Sequence, residues 1–252
     1  MSGHSKWATI KHKKGAADAK RGKVFSKIIK EITVAARMGG GDIDGNPRLR
    51  KAVGVAKSNA MPADNIKRAI QRGTGEIEGV SYEEILYEGT GPGGTLFMVE
   101  VMTDNKNRTV AEIRKVFERH GGALGAGSSA QWAFDRKGTI LVPKAAATED
   151  QIMEIAIGAG GEDYTDEGEA WQVVCPLPQL DVVASALEKA GIPPTESTAG
   201  YIPKNKKAIT GREAERCLSL YETLDDHDDS QNVFADFEIS DAELQRIAEA
   251  AG

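Results

Sequence analysis

Apolar positions in the first third of the chain recur at helical spacing. Between residues 16 and 38, Val24, Phe25, Ile28, Ile29, Ile32 and the Ala35/Ala36 pair fall three or four apart. That predicts one long amphipathic helix, stopped by Gly39-Gly40-Gly41. Asn46-Pro47 reads as a cap followed by a proline suited to a first helical turn, and Leu49, Ala52, Val53 and Ala56 form the buried stripe of a second helix. Pro62 opens a third, with Ile66, Ala69 and Ile70 inward and Gly73 at its end. Three such helices with short connections imply a small bundle.

After Gly73-Thr74-Gly75 and Gly79 the period shortens. Residues 84–88 and 95–102 read as strands joined by a Gly/Pro loop. Thr109-Val110-Ala111-Glu112 has the form of a capping box opening a helix with Ile113, Val116 and Phe117 inward, ended by Gly121-Gly122. Residues 131–134 and 139–142 read as strands around a turn. From 139 the order becomes strand, helix (149–159), strand (163–166), strand (170–175), helix (180–190), strand (196–202), which is the split βαβ, ferredoxin-like arrangement. Thr210 caps a further helix bearing Ala214, Cys217, Leu218, Tyr221 and Leu224 on one face. Val233, Ala235, Phe237 and Ile239 alternate as a strand, and Ser240 with Glu243 opens a short last helix.

The strands and helix before Phe134 lack a second helix and a last strand, which residues 211–225 and 232–239 can supply. The expected fold class is therefore α+β multidomain: an N-terminal three-helix bundle plus two ferredoxin-like α+β domains, one inserted in the other. The boundaries read as a basic arm at 1–15, the bundle at 16–78, a split domain at 79–134 plus 205–240, an inserted domain at 135–204 and a C-terminal helix at 241–252. Two independent α+β domains are the alternative. Strand 232–239 distinguishes them: it pairs within the domain beginning near Tyr82 if the layout is nested, and beside residues 170–175 if it is not.

Charge changes the picture. The 252-residue chain has a net charge of −6, but residues 1–78 carry 17 Lys+Arg against 7 Asp+Glu, and the remainder 15 against 31. Residues 1–30 hold nine cations and the single acid Asp18. Such asymmetry points to a polyanion partner for the basic end. Lys6, Lys11, Lys13, Lys14, Lys20, Arg21, Lys23, Lys27 and Lys30 can neutralise phosphates and release counterions. Trp7, in a stretch too polar to bury it, can stack on a base, and His12 can donate to a phosphate or base. The plain alternative is a solvated basic tail with one stray aromatic. Arg48, Arg50, Lys51, Lys57, Lys67, Arg68 and Arg72 form a secondary set on the bundle's outward faces, where an ordinary charged helix surface is the competing reading.

Other chemistry is sparse. Gly89-Thr90-Gly91-Pro92-Gly93-Gly94 spells a nucleotide fingerprint but precedes a strand rather than a helix, and Pro92 removes an amide donor, so it reads as a hairpin loop rather than a cradle for a nucleotide-dependent enzyme. Asp225-Asp226-His227-Asp228-Asp229 lacks the spacing of a calcium loop and reads as solvated. Asn105 and Asn107 read as capping residues, with Arg108 pairing on the surface. His4, His12, His120 and His227 show no ligand or catalytic spacing, and Ser128-Ser129 lacks a nucleophile elbow. The expectation is a non-enzyme with no catalytic residues, cofactor or metal. Cys175 and Cys217 read as reduced thiols, and the basic, polar start lacks a secretory core, so the expected compartment is the cytoplasm and no membrane partner is expected. The acidic α+β domains would confine polyanion binding to one end or engage a protein partner.

The opening GHSKWATIKHKKGAADAKRGKVFSKIIKEI resembles the start of the YebC/PmpR family of regulators. So do MPADNIKRAIQRGTGE at 61–76, YEGTGPGG at 87–94, TDNKNRT at 103–109 and QNVFADFEI at 231–239, in order along nearly the whole chain. The resemblance implies a helical N-terminal domain followed by two α+β domains, one inserted in the other. It also implies a role either as a DNA-binding transcriptional regulator or as a ribosome-associated, RNA-binding translation factor, since mitochondrial relatives act as translational activators for cytochrome oxidase subunits. The partners so implied are DNA and/or ribosomal RNA.

Overall fold

A computed structural model describes residues 17–250, with side chains from residue 22 onward. Helices α1 (Ala17–Gly39), α2 (Pro47–Ser58) and α3 (Ala63–Thr74) form the bundle. Asn46 joins two of them. Its side-chain oxygen accepts the Leu49 N–H at 3.1 Å while its amide donates to Ala35 O and Gly40 O at 2.8 and 2.9 Å, so one residue starts α2 and finishes α1. Ile32, Leu49, Ala56 and Ala69 are fully buried between the helices. Each large apolar side chain so placed contributes about 1.5–3 kcal/mol. Gly73 lets α3 approach α1: a Cβ there would lie 2.4 Å from the Thr33 carbonyl oxygen.

The next unit is split along the chain. Strands β1 (Glu83–Thr90) and β2 (Leu96–Thr103) form an antiparallel hairpin, followed by α4 (Lys106–Arg119) and a two-residue strand β3 (Ala123–Leu124) that pairs back on Gly89 and Thr90. The hairpin turns through Pro92–Gly94, where Gly93 and Gly94 take φ of 67° and 69°, the left-handed region open to glycine. The chain then leaves to build a second sheet from β4 (Phe134–Pro143), β5 (Asp163–Asp166), β6 (Ala170–Pro176) and β7 (Glu196–Pro203). Helices α5 (Glu149–Ile152) and α6 (Leu180–Lys189) connect them, in sheet order β5-β6-β4-β7 with every neighbour antiparallel. That is the ferredoxin-like order.

The chain returns through α7 (Gly211–Asp225) to β9 (Ser230–Ala235), which pairs with β2 from Phe97↔Ala235 to Val101↔Ser230. The resulting order β3-β1-β2-β9 also fits a ferredoxin-like sheet, with β1 filling the place that a later strand would take. The second α+β unit is thus inserted in the first. Ile113, Phe117, Cys217, Leu220 and Leu224 from α4 and α7 cover one face of the split sheet with Phe97, Val99 and Val101. The two sheets touch where Tyr201 of β7 meets Phe234 of β9 edge-on at 5.4 Å.

Several details depart from the sequence pattern. Residues 131–133 form a 3-10 turn rather than a strand, because they carry the chain between the units, and β3 takes the edge position instead. The helix expected over 149–159 is α-helical only to Ile152 and continues as a π-helical turn over Met153–Ile157. The strand expected through Ile239 breaks at Asp236, whose carboxylate accepts the Leu96 N–H at 2.8 Å. Beyond it β10 (Phe237–Glu238) pairs in parallel with β8 (Lys207–Ala208), a strand too short to leave a pattern. Thr210 makes no side-chain cap. Gly211 N–H donates instead to Glu243 Oε1, at 2.6 Å, on the last helix α8 (Asp241–Ala250). Helix α4 starts at Lys106 under an Asn105 cap, so Thr109 lies inside its first turn and is fully buried.

Gly73→Ala should lower stability by about 1–3 kcal/mol, the usual cost of forcing a packed contact. A urea titration followed by circular dichroism measures it, and an unchanged midpoint would mean that α1 and α3 separate freely at their crossing.

Candidate nucleic-acid interface

The basic set divides in two. Lys6, Trp7, Lys11, His12, Lys13 and Lys14 precede the described residues, and Lys20 and Arg21 lie at the start of α1 without described side chains. Lys23, Lys27 and Lys30 are described: Lys23 is exposed, Lys27 and Lys30 are partly buried, and each donates to acceptors within the chain. Spaced four and three apart, they share one helix face. That face is turned onto the loop 225–229 at the end of α7. Lys23 Nζ donates to Asp226 O at 2.7 Å, and Lys27 Nζ to Asp225 O and Oδ1 at 2.9 and 3.3 Å. Lys30 Nζ donates to Asp228 O at 2.8 Å, to Met102 O at 3.2 Å and to Asp229 Oδ1 at 2.6 Å. Ammonium groups there meet both carboxylates and the negative end of the helix dipole.

Asp229 is the anchor. Its side chain is 5% exposed, and its other oxygen accepts Arg108 Nη2 at 2.8 Å and Thr109 Oγ1 at 2.7 Å. Desolvation pushes the carboxyl's pKa up, but hydrogen bonds from Lys30, Thr109 and Arg108 outweigh it and hold the group well below the usual carboxylate range. The segment 225–229 is therefore not a solvated loop: Asp229 and Ser230 are buried, and only Asp225, Asp226 and Asp228 are exposed. The buried carboxylate had no signal of its own in the sequence. The lysine spacing 23, 27, 30 beside an acidic loop was the available clue.

The secondary set is likewise partly committed to the fold. Arg48 bridges Glu31 of α1, at 2.7 Å, and Glu84 of β1, at 2.6 Å, and these two hydrogen bonds raise its pKa. Arg37 of α1 donates to Ser81 Oγ and Tyr82 O. Both arginines tie the bundle to the split sheet. Arg50 donates to Asp44 O at 3.0 Å, and the stem of Arg72 packs under Gly79. Lys51 is exposed at a cleft of about 700 Å³ where bundle and both sheets meet, beside Glu31, Glu84, Glu100 and Arg136. Lys57, Lys67 and Arg68 are exposed on α2 and α3, and among the described residues they have no ion-pair partner.

Two further groups bear on chemistry. Glu112, His227 and Asp229 bring three ligand-type atoms within 4.8 Å of one another. Lys30 and Arg108 already bind both Asp229 oxygens, so a metal ion there would compete with two cations. Both ring nitrogens of His227 are held, by Glu112 at 3.1 Å and by the Asp229 N–H at 3.2 Å. Cys175 and Cys217 are free and buried, and desolvation pushes the Cys217 thiol up to about 11, far from a reactive thiolate.

With this geometry in view, the chain can be placed among known proteins. Residues 5–76 match the TACO1/YebC protein N-terminal domain, and residues 82–237 match the TACO1/YebC second and third domain. The chain belongs to the TACO1/YebC family. It is 54% identical to a probable transcriptional regulatory protein of Desulforapulum autotrophicum over 96% of this chain and 98% of that one. A protein of the same description from Koribacter versatilis is 53% identical over 98% of this chain and all of that one. Among solved structures, a conserved hypothetical protein from Aquifex aeolicus superposes with a TM-score of 0.86 at 44% identity, covering 93% of this chain and 97% of that one. Among the described residues of this TACO1/YebC member, no helix is long and apolar enough to cross a membrane.

Asp229→Asn should destabilise the fold by about 3 kcal/mol or more, since it leaves Lys30 buried against a neutral partner. The sign with pH follows from the lowered carboxyl. Its contribution is complete above the unfolded aspartate value of about 4 and is lost as pH falls below it, because the unfolded chain then binds the proton first. The gap in urea midpoints between wild type and variant should narrow from pH 7 to pH 3. A constant gap would place the stabilisation elsewhere.

Proposed function

We propose that this TACO1/YebC member is a non-enzymatic regulator of gene expression that binds nucleic acid through residues 1–21, with RNA preferred over duplex DNA. One observation carries the reading. Lys27, Lys30 and Arg48 bind carboxylates within the fold, while the sequence of residues 1–21 carries Lys6, Lys11, Lys13, Lys14, Lys20 and Arg21 against the single acid Asp18. Such a density of cations beside Trp7 and His12 supports phosphate neutralisation with base stacking. Lysines on an arm carry little base information on a duplex, where specificity needs side chains fixed at base edges. The acidic α+β units repel bulk polyanion and direct it to this end.

A second reading, a sequence-specific transcription factor in the cytoplasm, draws on the names of the relatives and on Lys57, Lys67 and Arg68, exposed on short helices. An enzyme using the 89–94 loop is disfavoured, because Pro92–Gly94 closes a hairpin and Pro92 and Thr95 are buried.

Replacing Trp7, Lys11, Lys13 and Lys14 together by Ala should weaken RNA or ribosome association by well over about tenfold. Ribosome co-sedimentation in equimolar competition with promoter duplexes at physiological salt is the comparison. Selection of one duplex over random DNA by about 1000-fold or more would overturn the RNA preference in favour of the transcription factor.

A further inference from the structure

Between β3 and β4 the chain forms a surface loop, residues 125–133, built from Gly125, Gly127, Ser128, Ser129 and other small or polar residues. Its shape is fixed from beneath. The Glu88 carboxylate, on a residue only 5% exposed, accepts the backbone N–H groups of Ser128 at 2.8 Å, Ala130 at 2.6 Å and Gln131 at 2.8 Å. Gly125 N–H donates to Glu88 O at 2.8 Å. Ser128 is held at φ 66°, a left-handed conformation that a side chain adopts only where its surroundings impose it. Burying a carboxylate is costly unless it is fully hydrogen-bonded, and here the bonds all go to one surface loop.

That loop carries Trp132, a residue 68% exposed. The indole N–H donates to Ser129 O at 3.0 Å, which fixes the tilt of the ring. Lys204, whose side chain is half-exposed, donates from Nζ to the backbone carbonyl of Trp132 at 2.9 Å and lies 3.6 Å from Asp135 Oδ1. A large aromatic held in solvent, on a loop whose backbone also binds a lysine, presents a π-face on which a base can stack. A protein-binding hot spot would instead need a large apolar surround to exclude water, and the loop that carries this ring is built of Gly, Ala, Ser and Gln.

We propose that Trp132 stacks an unpaired nucleobase of a single-stranded nucleic acid, with Lys204 meeting the neighbouring phosphate. The inference rests on the nucleic-acid reading above and adds a contact point on the α+β body, separate in sequence from the arm. Bases inside a duplex have no free face, so the contact selects single strands.

The test uses full-length protein, W132A and W132F, each titrated by fluorescence anisotropy against a single-stranded RNA of 20 nucleotides, the same sequence as a duplex, and inorganic polyphosphate. W132A should lose at least about fivefold in affinity for the single strand, the low end for one stacked base. Its duplex and polyphosphate affinities and its salt slope should be unchanged, and W132F should stay within about threefold of wild type because the π-face remains. Unchanged single-strand affinity in W132A, with wild type binding, would overturn the stacking role alone and direct attention to a protein partner. Equal losses on all three ligands would also overturn it, as a general distortion. No binding by wild type to any of the three would overturn the nucleic-acid reading itself.

Discussion

The carboxylate of Asp229 is the constraint on which the arrangement of this molecule depends. It lies where three pieces of chain meet: α1 supplies Lys30, α4 supplies Arg108 and Thr109, and the carboxylate itself sits at the start of β9. A buried anion with an ammonium and a guanidinium on its two oxygens is stable only while both stay in place, because loss of either leaves charge uncompensated in a region from which water is excluded. The bundle therefore cannot rotate on the split sheet without breaking it. Arg48, between Glu31 and Glu84, and Arg37, on Ser81 and Tyr82, secure the far end of the same joint.

This joint engages cations that the sequence alone would assign to a partner. Lys23, Lys27 and Lys30 of α1 are engaged by loop 225–229 and help hold the domains together. The cations proposed for a partner are those of residues 1–21, which precede this joint in the chain. The same economy appears at Glu88, where a buried carboxylate gives a loop of small residues one shape and so holds Trp132 in solvent.

Much of the fold was legible because its signals are local. Val24 to Ala36 at helical spacing, Asn46-Pro47 at a helix start and the alternation of strands and helices over 139–202 each depend on neighbours in the chain. The nested layout was legible as well, because the units before Phe134 and after residue 204 are each too short of elements to close a sheet alone. Features that depend on distant partners were not. Thr109 looked like a cap and is a ligand to Asp229, 120 residues away. Asp225–Asp229 looked solvated because acidic runs usually are, and the lysine face that covers it comes from the other end of the chain. Trp132 looked like part of a strand, since only the Glu88 contacts decide that its backbone turns out to the surface.

The central claim is that the arm, rather than the α+β body, brings nucleic acid to this protein, and that this nucleic acid is RNA. Ultraviolet crosslinking in cells, with sequencing of the attached nucleic acid and mass spectrometry of the attached peptide, tests both parts at once. The account predicts RNA on peptides from residues 1–21, with any further crosslink at the peptide containing Trp132. Recovery of discrete DNA sites on peptides from α2 and α3, with the arm unlabelled, would contradict it.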